Sequence, residues 1–482
     1  MSNPTPKIKA RIAPSPTGNL HLGTVRTALY NVLLAKHEGG DFYFRLEDTD
    51  RERSKEEFTQ EIIDGFNWLG IKWDKPSEIQ CDPLGFVRQS TQNAIHTDYV
   101  TRLLTEKKAY KCFATEEELK ALREFQEKNH KAMGYDNRGR KVSYEDQAQF
   151  EAEGRKFVVR LNLGADHDLK WNDVVRGEMS INSKDLGGDP VIQKFNGQVL
   201  YNFAVVIDDH EMDITHVFRG EDHLTNTAKQ IAIYEALGFP VPIFGHLPLI
   251  FTPNKEKLSK RKHGDIAGVE MYKRKGYLPE ALVNYLIAMS YTRISEDGKE
   301  LYSIEEATKD FDTSRLSKSS AIYDINKLNW YNREYTAKFS HEELLEHLKP
   351  FLKYDLSKLD DESQRLLING IRGNLNNFSE INENINYFFD DVSVPDDLKS
   401  FVEAGKPVIQ ELHKYISGLT TLDAVEIKNA INKIGETLGL KGKNLFWPIR
   451  IALSSRSHGP DLGEVVKLLG KEKALERLST ST

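Results

Sequence analysis

The chain is poor in cysteine, in long apolar runs and in positive charge, and each scarcity closes off a class of function. Only two cysteines, Cys81 and Cys112, occur among 482 residues, too few for a disulfide framework or a cysteine-rich metal site. No apolar run approaches the roughly 18 residues of a membrane span, and the opening MSNPTPKIKA lacks the apolar core of a signal peptide. The expectation is a cytoplasmic protein without a membrane. A formal charge of −7 does not advertise a nucleic-acid binder, although net charge can conceal a local basic patch. No repeat with a period of about 20 to 50 residues is found, so a solenoid is not indicated.

What is present is an ordinary soluble composition, 39% hydrophobic and 29% charged, on a chain too long for one core; three or four domains are expected. The organising stretch is RIAPSPTGNLHLGTVRTALYNVLLAKHEGGDFYFRLEDTD, from Arg11 to Asp50. Ile8 to Ala13 alternate as a strand, and Pro14, Pro16 and Gly18 impose an extended loop. From about Leu22, Val25, Ala28, Leu29, Val32 and Leu33 recur at helical spacing, with Gly39-Gly40 as the left-handed exit. Phe42, Phe44 and Leu46 then alternate as a second strand. Ligands of such units bind beyond the carboxyl ends of the strands, so Ser15, Thr17, His21 and Glu47 are expected to converge there.

Beyond this unit, Arg51 to Trp73 reads as a charged start followed by an amphipathic helix. Cys81 to about Pro190 holds polar helices and short strands and reads as an insertion. Strands are expected again at Val199 to Ile207 and at Ile214 to Phe218, with Arg219 at the end of the second. GEDHLTNTAKQIAIYEALGF begins a helix with acidic residues in its first turn, as the helix dipole favours. His246 to Phe251 reads as a further strand, running into a loop that carries KLSKRKHG. Strands alternating with helices argue for a parallel α/β sheet that resumes after the insertion. After about Tyr272 the apolar positions recur every three or four residues, the pattern of a separate helical domain. SerThrSerThr closes the chain as a frayed tail.

Two segments suit phosphate chemistry. His21-Leu22-Gly23-Thr24 stands at a helix start, where free amides and the dipole attract anions, although a histidine there also serves as a cap. Lys257-Leu258-Ser259-Lys260-Arg261 is a basic run of a kind that more often forms a solvated face, but it follows a strand aimed at the same end of the sheet. Adenylation puts extra charge on the α-phosphate and on departing pyrophosphate, and preoriented lysines on a mobile loop stabilise that charge.

RIAPSPTGNLHLGT, RLEDTDRERS, YNFAVVIDD, FRGEDHLTNT and KLSKRKHG together resemble the bacterial glutamyl-tRNA synthetases, class I aminoacyl-tRNA synthetases, and the C-terminal KGKNLFWPIRIALSSRSHGPDLGEVVKLLGKEKALERL is similar to their final helical region. HLGT is similar to the HIGH signature and KLSKR to the KMSKR signature. The resemblance implies a Rossmann-type parallel sheet (1–80 and 191–252) split by an inserted α/β acceptor-end domain (81–190). The KLSKR loop and a stem-contact helical segment (253–325) and an all-α anticodon-binding domain (326–482) follow. It implies ATP-dependent activation of L-glutamate, with Mg2+, and transfer to the terminal adenosine of tRNA(Glu), by a monomer. His21, Gly23 and Thr24 would meet ATP, with Asp222 and Ile250 near ribose and base. Leu258, Ser259 and Arg261 would line the nucleotide, and Lys257 and Lys260 would stabilise the transition state. Arg11, Tyr201 and Arg219 would hold the side-chain carboxylate, Ser15 and Glu47 the amino-acid end, and Val205 stands where some relatives carry Asn. A guanidinium suits an anionic substrate, since neutral glutamine leaves the buried charge uncompensated.

Many relatives bind zinc in the insertion through Cys-x-Cys, but here the run is Cys112-Phe113-Ala114, and no zinc is expected. Lys441, Lys443, Arg450 and Arg456, with Phe446 or Trp447, are candidates for the anticodon, as are plain surface and core roles. Charging of the glutamine tRNA as well stays open. A small-molecule adenylating enzyme would explain HLGT and KLSKR but leave the helical third idle.

Overall fold

The computed structural model describes residues 7–50, 52–77, 79–293 and 298–480; Arg51, Ser481 and Thr482 of the expectations above lie outside the described residues. The chain forms two compact units, one of residues 1–271 and 283–324, the other of 272–282 and 325–482.

In the first unit, β1 (Lys9–Ile12) leads to α1 (Leu22–His37), β2 (Asp41–Leu46), α2 (Glu56–Trp68) and β3 (Val87–Arg88). The chain then leaves the sheet. It forms α3 (Asn93–Thr105), β4 (Ala109–Cys112), α4 (Glu116–Lys128), α5 (Tyr144–Ala152), β5 (Val158–Leu161), a hairpin of β6 (Asp168–Asp173) and β7 (Gly177–Asn182), and β8 (Val191–Gln193). It returns through α6 (Tyr201–Glu211), β9 (His216–Gly220), α7 (Leu224–Leu237) and β10 (Ile243–Leu247). The main sheet has the order β10-β9-β1-β2-β3, every pair parallel. The excursion builds its own antiparallel sheet, β4-β5-β8.

Local chemistry explains the elements. The Gly39 backbone takes φ +64° just past α1, a left-handed value that glycine adopts without a Cβ penalty. Thr115 and Glu118 close a capping box on α4. One face of the sheet packs Tyr43, Val87 and Val217 against Phe203, Val206 and Ala228 of α6 and α7. Because side chains alternate along a strand, Arg11, Arg45 and Arg219 project from that same face, as their contacts below require.

Two expected strands differ from the structure. Val199 to Ile207 was expected to be a strand, but Tyr201–Glu211 is a helix. Seven consecutive residues, Phe203 to Asp209, are buried in it, and an apolar run enclosed on all sides carries no period that separates helix from strand. Likewise His246 to Phe251 is not one strand: β10 begins earlier, at Ile243, and ends before Pro248, while Ile250–Phe251 pairs in parallel with Ala321–Ile322. Proline has no N–H for the ladder. The SerThr of the tail that is described, Ser479 and Thr480, forms the last turn of a helix.

The second unit is helical. Helices Lys406–Ser417, Ala424–Leu438, Lys443–Ser454, Leu462–Leu469 and Lys471–Thr480 enclose Val408, Leu412, Ile431, Leu445, Ile449 and Val466. A Cβ on Gly463 would lie 2.0 Å from the Ala424 carbonyl oxygen, so two helices meet where only glycine fits. Of the basic residues considered above, Arg450 donates to the Pro460 carbonyl (2.5 Å) and Arg456 to Asn386 (3.2 Å), while the Lys443 ammonium stands 4.6 Å from the centre of the Trp447 ring.

Candidate active site

Parallel strands end on one edge of a sheet, and the ends of β1, β2 and β9 with the loops beyond them wall a cleft of about 470 Å3. Arg11, Glu47 and Arg219 come from the strand ends, Ser15 from the proline-fixed loop, and His21, Gly23 and Thr24 from the start of α1. Tyr201 comes from α6, Asp222 and His223 from the turn after β9, and Ile250, Lys257, Leu258, Ser259 and Lys260 from the stretch after β10. Thr17, Val205 and Arg261 do not line it. Thr17 and Arg261 are exposed, and Val205, 1% exposed, lies in the core because α6 is a helix and turns that position inward.

On one side of the cleft the groups suit a nucleotide. His21 caps α1, its Nδ1 accepting the Gly23 N–H at 3.0 Å. Burial, and then the Lys257 charge, lower its pKa from the ordinary 6.5. The neutral ring therefore carries its proton on Nε2, free to donate to an anion. The Leu258 side chain is buried and its N–H donates to the Ile250 carbonyl at 2.8 Å, pinning the basic loop in place. On either side of that pin the Lys257 ammonium meets Asp222 at 2.8 Å and the Lys260 ammonium donates to Asn19.

On the other side, buried charges are held in a network. Arg11 donates to Asp209 through Nε (3.0 Å) and one terminal nitrogen (2.9 Å). Arg45, fully buried, bridges Asp209 (2.6 Å) and Glu47 (3.3 Å). Burial pushes the Glu47 carboxyl up, with Arg45 and Arg11 opposing it, and the same two arginines hold Asp209 below the usual carboxylate range against its own burial. Asp208 accepts from Gln89 (2.6 Å) and pairs with His96 (2.6 Å), tying α6 to α3.

Arg219 is different. Its guanidinium, 6% exposed, donates to Thr227 (2.6 Å), Gln230 (2.8 Å) and His246 (3.3 Å), all neutral acceptors. Its remaining nitrogen, Nη1, is buried with no hydrogen-bond partner among the described residues. Burial lowers its pKa, the mark of a cation short of countercharge. The Tyr201 hydroxyl, whose pKa burial pushes up to about 12, faces His223 at 3.4 Å. His223 is held neutral, its pKa lowered to about 4 by burial and by Arg219.

Sequence reasoning missed several members. Arg26, a cation in the apolar stripe of α1, lines the cleft and donates to Ser290 (3.1 Å) and the Pro248 carbonyl. Its charge inside that stripe was the available signal. His223 and Asp209 stood inside noted segments, but Asp173 and His246 carried no local mark.

Comparison with known proteins gives a consistent family. The family described as tRNA synthetases class I (E and Q), catalytic domain, matches residues 7–330, and an anticodon binding domain matches residues 343–481. The chain is 41% identical over 488 aligned positions to a glutamate-tRNA ligase of Natranaerobius thermophilus, covering 99% of each. To a glutamate-tRNA ligase of Bacillus subtilis it is 40% identical, covering 98% of this chain and 99% of the relative. Among solved structures, a glutamate tRNA ligase from Elizabethkingia meningosepticum in complex with its amino acid superposes with a TM-score of 0.81 at 33% identity, covering 99% of both chains.

Proposed function

The chain belongs to the glutamate-tRNA ligases among the class I tRNA synthetases, and from that premise we propose how its cleft divides the work. The reaction is ATP-dependent formation of glutamyl-adenylate and transfer of the glutamyl group to the 3′-terminal adenosine of tRNA(Glu). The observation that carries our division is Arg219, a buried cation that lines the cleft and has one nitrogen without a partner among the described residues. A side-chain carboxylate supplies what it lacks, and glutamine cannot. Arg11, two of whose nitrogens donate to Asp209, and the Tyr201 hydroxyl flank that carboxylate. Glu47, partly neutralised by Arg45, accepts the substrate ammonium beside Ser15.

The α-carboxylate oxygen attacks the α-phosphorus and pyrophosphate leaves. His21 donates from Nε2 to a phosphate oxygen, Gly23 and Thr24 leave room for the nucleotide, and Asp222 and Ile250 flank its ribose and base. Lys257 exchanges Asp222 for phosphate, and Lys260 exchanges Asn19; both stabilise charge that grows in the transition state. Mg2+ carried in with ATP would neutralise phosphate charge. In the second step a ribose hydroxyl of the tRNA attacks the carbonyl carbon and AMP leaves.

Within this reading residues 81–190 meet the acceptor end, 253–325 the stem and 326–482 the anticodon; the chain acts as a cytoplasmic monomer. The reading includes no zinc, since the run Cys112-Phe113-Ala114 offers a single thiol, whose sulfur stands 3.1 Å from the Tyr135 hydroxyl. Stoichiometric zinc in purified protein would overturn that point. No helix among the described residues is long and apolar enough to cross a membrane.

The test is aminoacylation with radiolabelled glutamate, using glutamate tRNA and glutamine tRNA in separate reactions. Charging of the first supports the reading, and charging of both adds a relaxed tRNA choice. Charging of neither, alongside active pyrophosphate exchange, would favour small-molecule adenylation instead.

A further inference from the structure

Arg219 is held by a chain of buried groups that begins in the inserted segment. Asp173 closes β6, and its carboxylate is saturated with donors: Oδ1 accepts the N–H groups of Val175 (3.0 Å), Arg176 (2.9 Å) and His246 (3.0 Å), and Oδ2 meets Nδ1 of the His246 ring. Asp173 is 2% exposed and His246 is wholly enclosed. A carboxylate at Nδ1 accepts a hydrogen bond from that nitrogen and so keeps the ring proton on it, and the other nitrogen, Nε2, presents a lone pair. Facing it are two donors, the Thr227 hydroxyl at 2.8 Å and the Arg219 Nε–H at 3.3 Å. The opposite tautomer would set an N–H against the Arg219 N–H and leave the arginine unsupported there.

We propose that Asp173 and His246 are positioning residues for substrate recognition: the carboxylate fixes the imidazole tautomer, the imidazole fixes the guanidinium, and Arg219, which lines the cleft and keeps one nitrogen unpartnered among the described residues, is thereby held in place for the substrate. The inference rests on the reading that Arg219 meets the glutamate side chain. It makes the hairpin of β6 and β7 part of the amino-acid site, although neither strand touches the cleft. Burial lowers the His246 pKa, with Asp173 opposing, which agrees with a neutral ring.

The decisive variant is Asp173→Asn, which keeps the shape but lets the ring take the other tautomer. In tRNA-dependent aminoacylation it is expected to raise KM for glutamate about tenfold or more, the scale of one weakened hydrogen bond to a charged group, with KM for ATP within about twofold of wild type. The selectivity for glutamate over glutamine falls with it. A role confined to holding the fold would lower thermal stability and leave both KM values alone, and that result overturns the proposal. Should the variant fail to fold, wild-type protein labelled with 15N-histidine decides, the His246 signals being assigned with His246→Asn. A protonated Nδ1 and a bare Nε2 uphold the proposal, and the reverse refutes it. A wild-type chain that charged no tRNA would sink the functional reading instead, and the ring tautomer would still test the positioning pair.

Discussion

Replacing Arg219 by Met removes a buried cation whose hydrogen bonds in the free protein all go to neutral acceptors. Two consequences pull apart. For the substrate, truncating one member of a buried charge pair typically costs about 3–5 kcal/mol, so kcat/KM for glutamate should fall roughly 100-fold to 5000-fold at about 1.4 kcal/mol per tenfold. For the fold, about 1 kcal/mol is lost with each of the three hydrogen bonds, while relief from an uncompensated buried charge offsets it by a similar amount. The melting temperature should therefore stay within about 3 °C of wild type, given the small shift per kcal/mol of a large domain. Glutamine, which brings no charge to the pairing, should lose far less, so selectivity narrows. The assays are tRNA-dependent aminoacylation with each amino acid and a thermal melt. A fall in kcat/KM of less than about threefold, or a large drop in melting temperature with kinetics intact, would refute the argument and make Arg219 a structural cation.

Lys257→Ala should lower kcat of pyrophosphate exchange about 100-fold while leaving KM for glutamate and the melting temperature unchanged, because the side chain is half-exposed and pairs, among the described residues, with Asp222; an unchanged kcat would remove it from the transition state. His223 titrates near 6.5 when unfolded but at about 4 in the fold. Its contribution is complete above pH 6.5, and stability is lost as pH falls toward 4, by up to about 1.4 kcal/mol per pH unit. His223→Asn should therefore flatten the decline of the urea midpoint between pH 7 and pH 5, and parallel curves for the two proteins would contradict that. Gly463→Ala should lower the melting transition of the second unit by several degrees, since backbone, not a movable side chain, occupies the space; an unchanged melt would show that the two helices can separate.

The legible parts of this molecule were those with their own punctuation. Gly39 marks the end of α1, the prolines fix the loop behind Ser15, and the basic run after Ile250 announces itself by charge. The illegible parts depended on partners far along the chain. Val199 to Ile207 read as a strand because Phe203 to Ile207 are buried without a gap, and Asp208 and Asp209 showed no role because their partners, Arg45, Arg11 and His96, lie more than 100 residues away. His246 and Asp173 showed nothing in sequence, since their meaning arises only where a hairpin of the insertion lands on β10.

The interruption of the main sheet also matters before the protein is finished. β1 pairs with β2 on one side almost at once, but its other side waits for β9, which begins at His216. A ribosome adding about 5–20 residues per second takes on the order of 10–30 s to make the intervening chain. During that interval the nascent protein carries a row of unpaired amides and carbonyls along β1, the kind of open edge that recruits strands from other molecules. Synthesis speed through the insertion thus sets how long that edge of each new chain stays open.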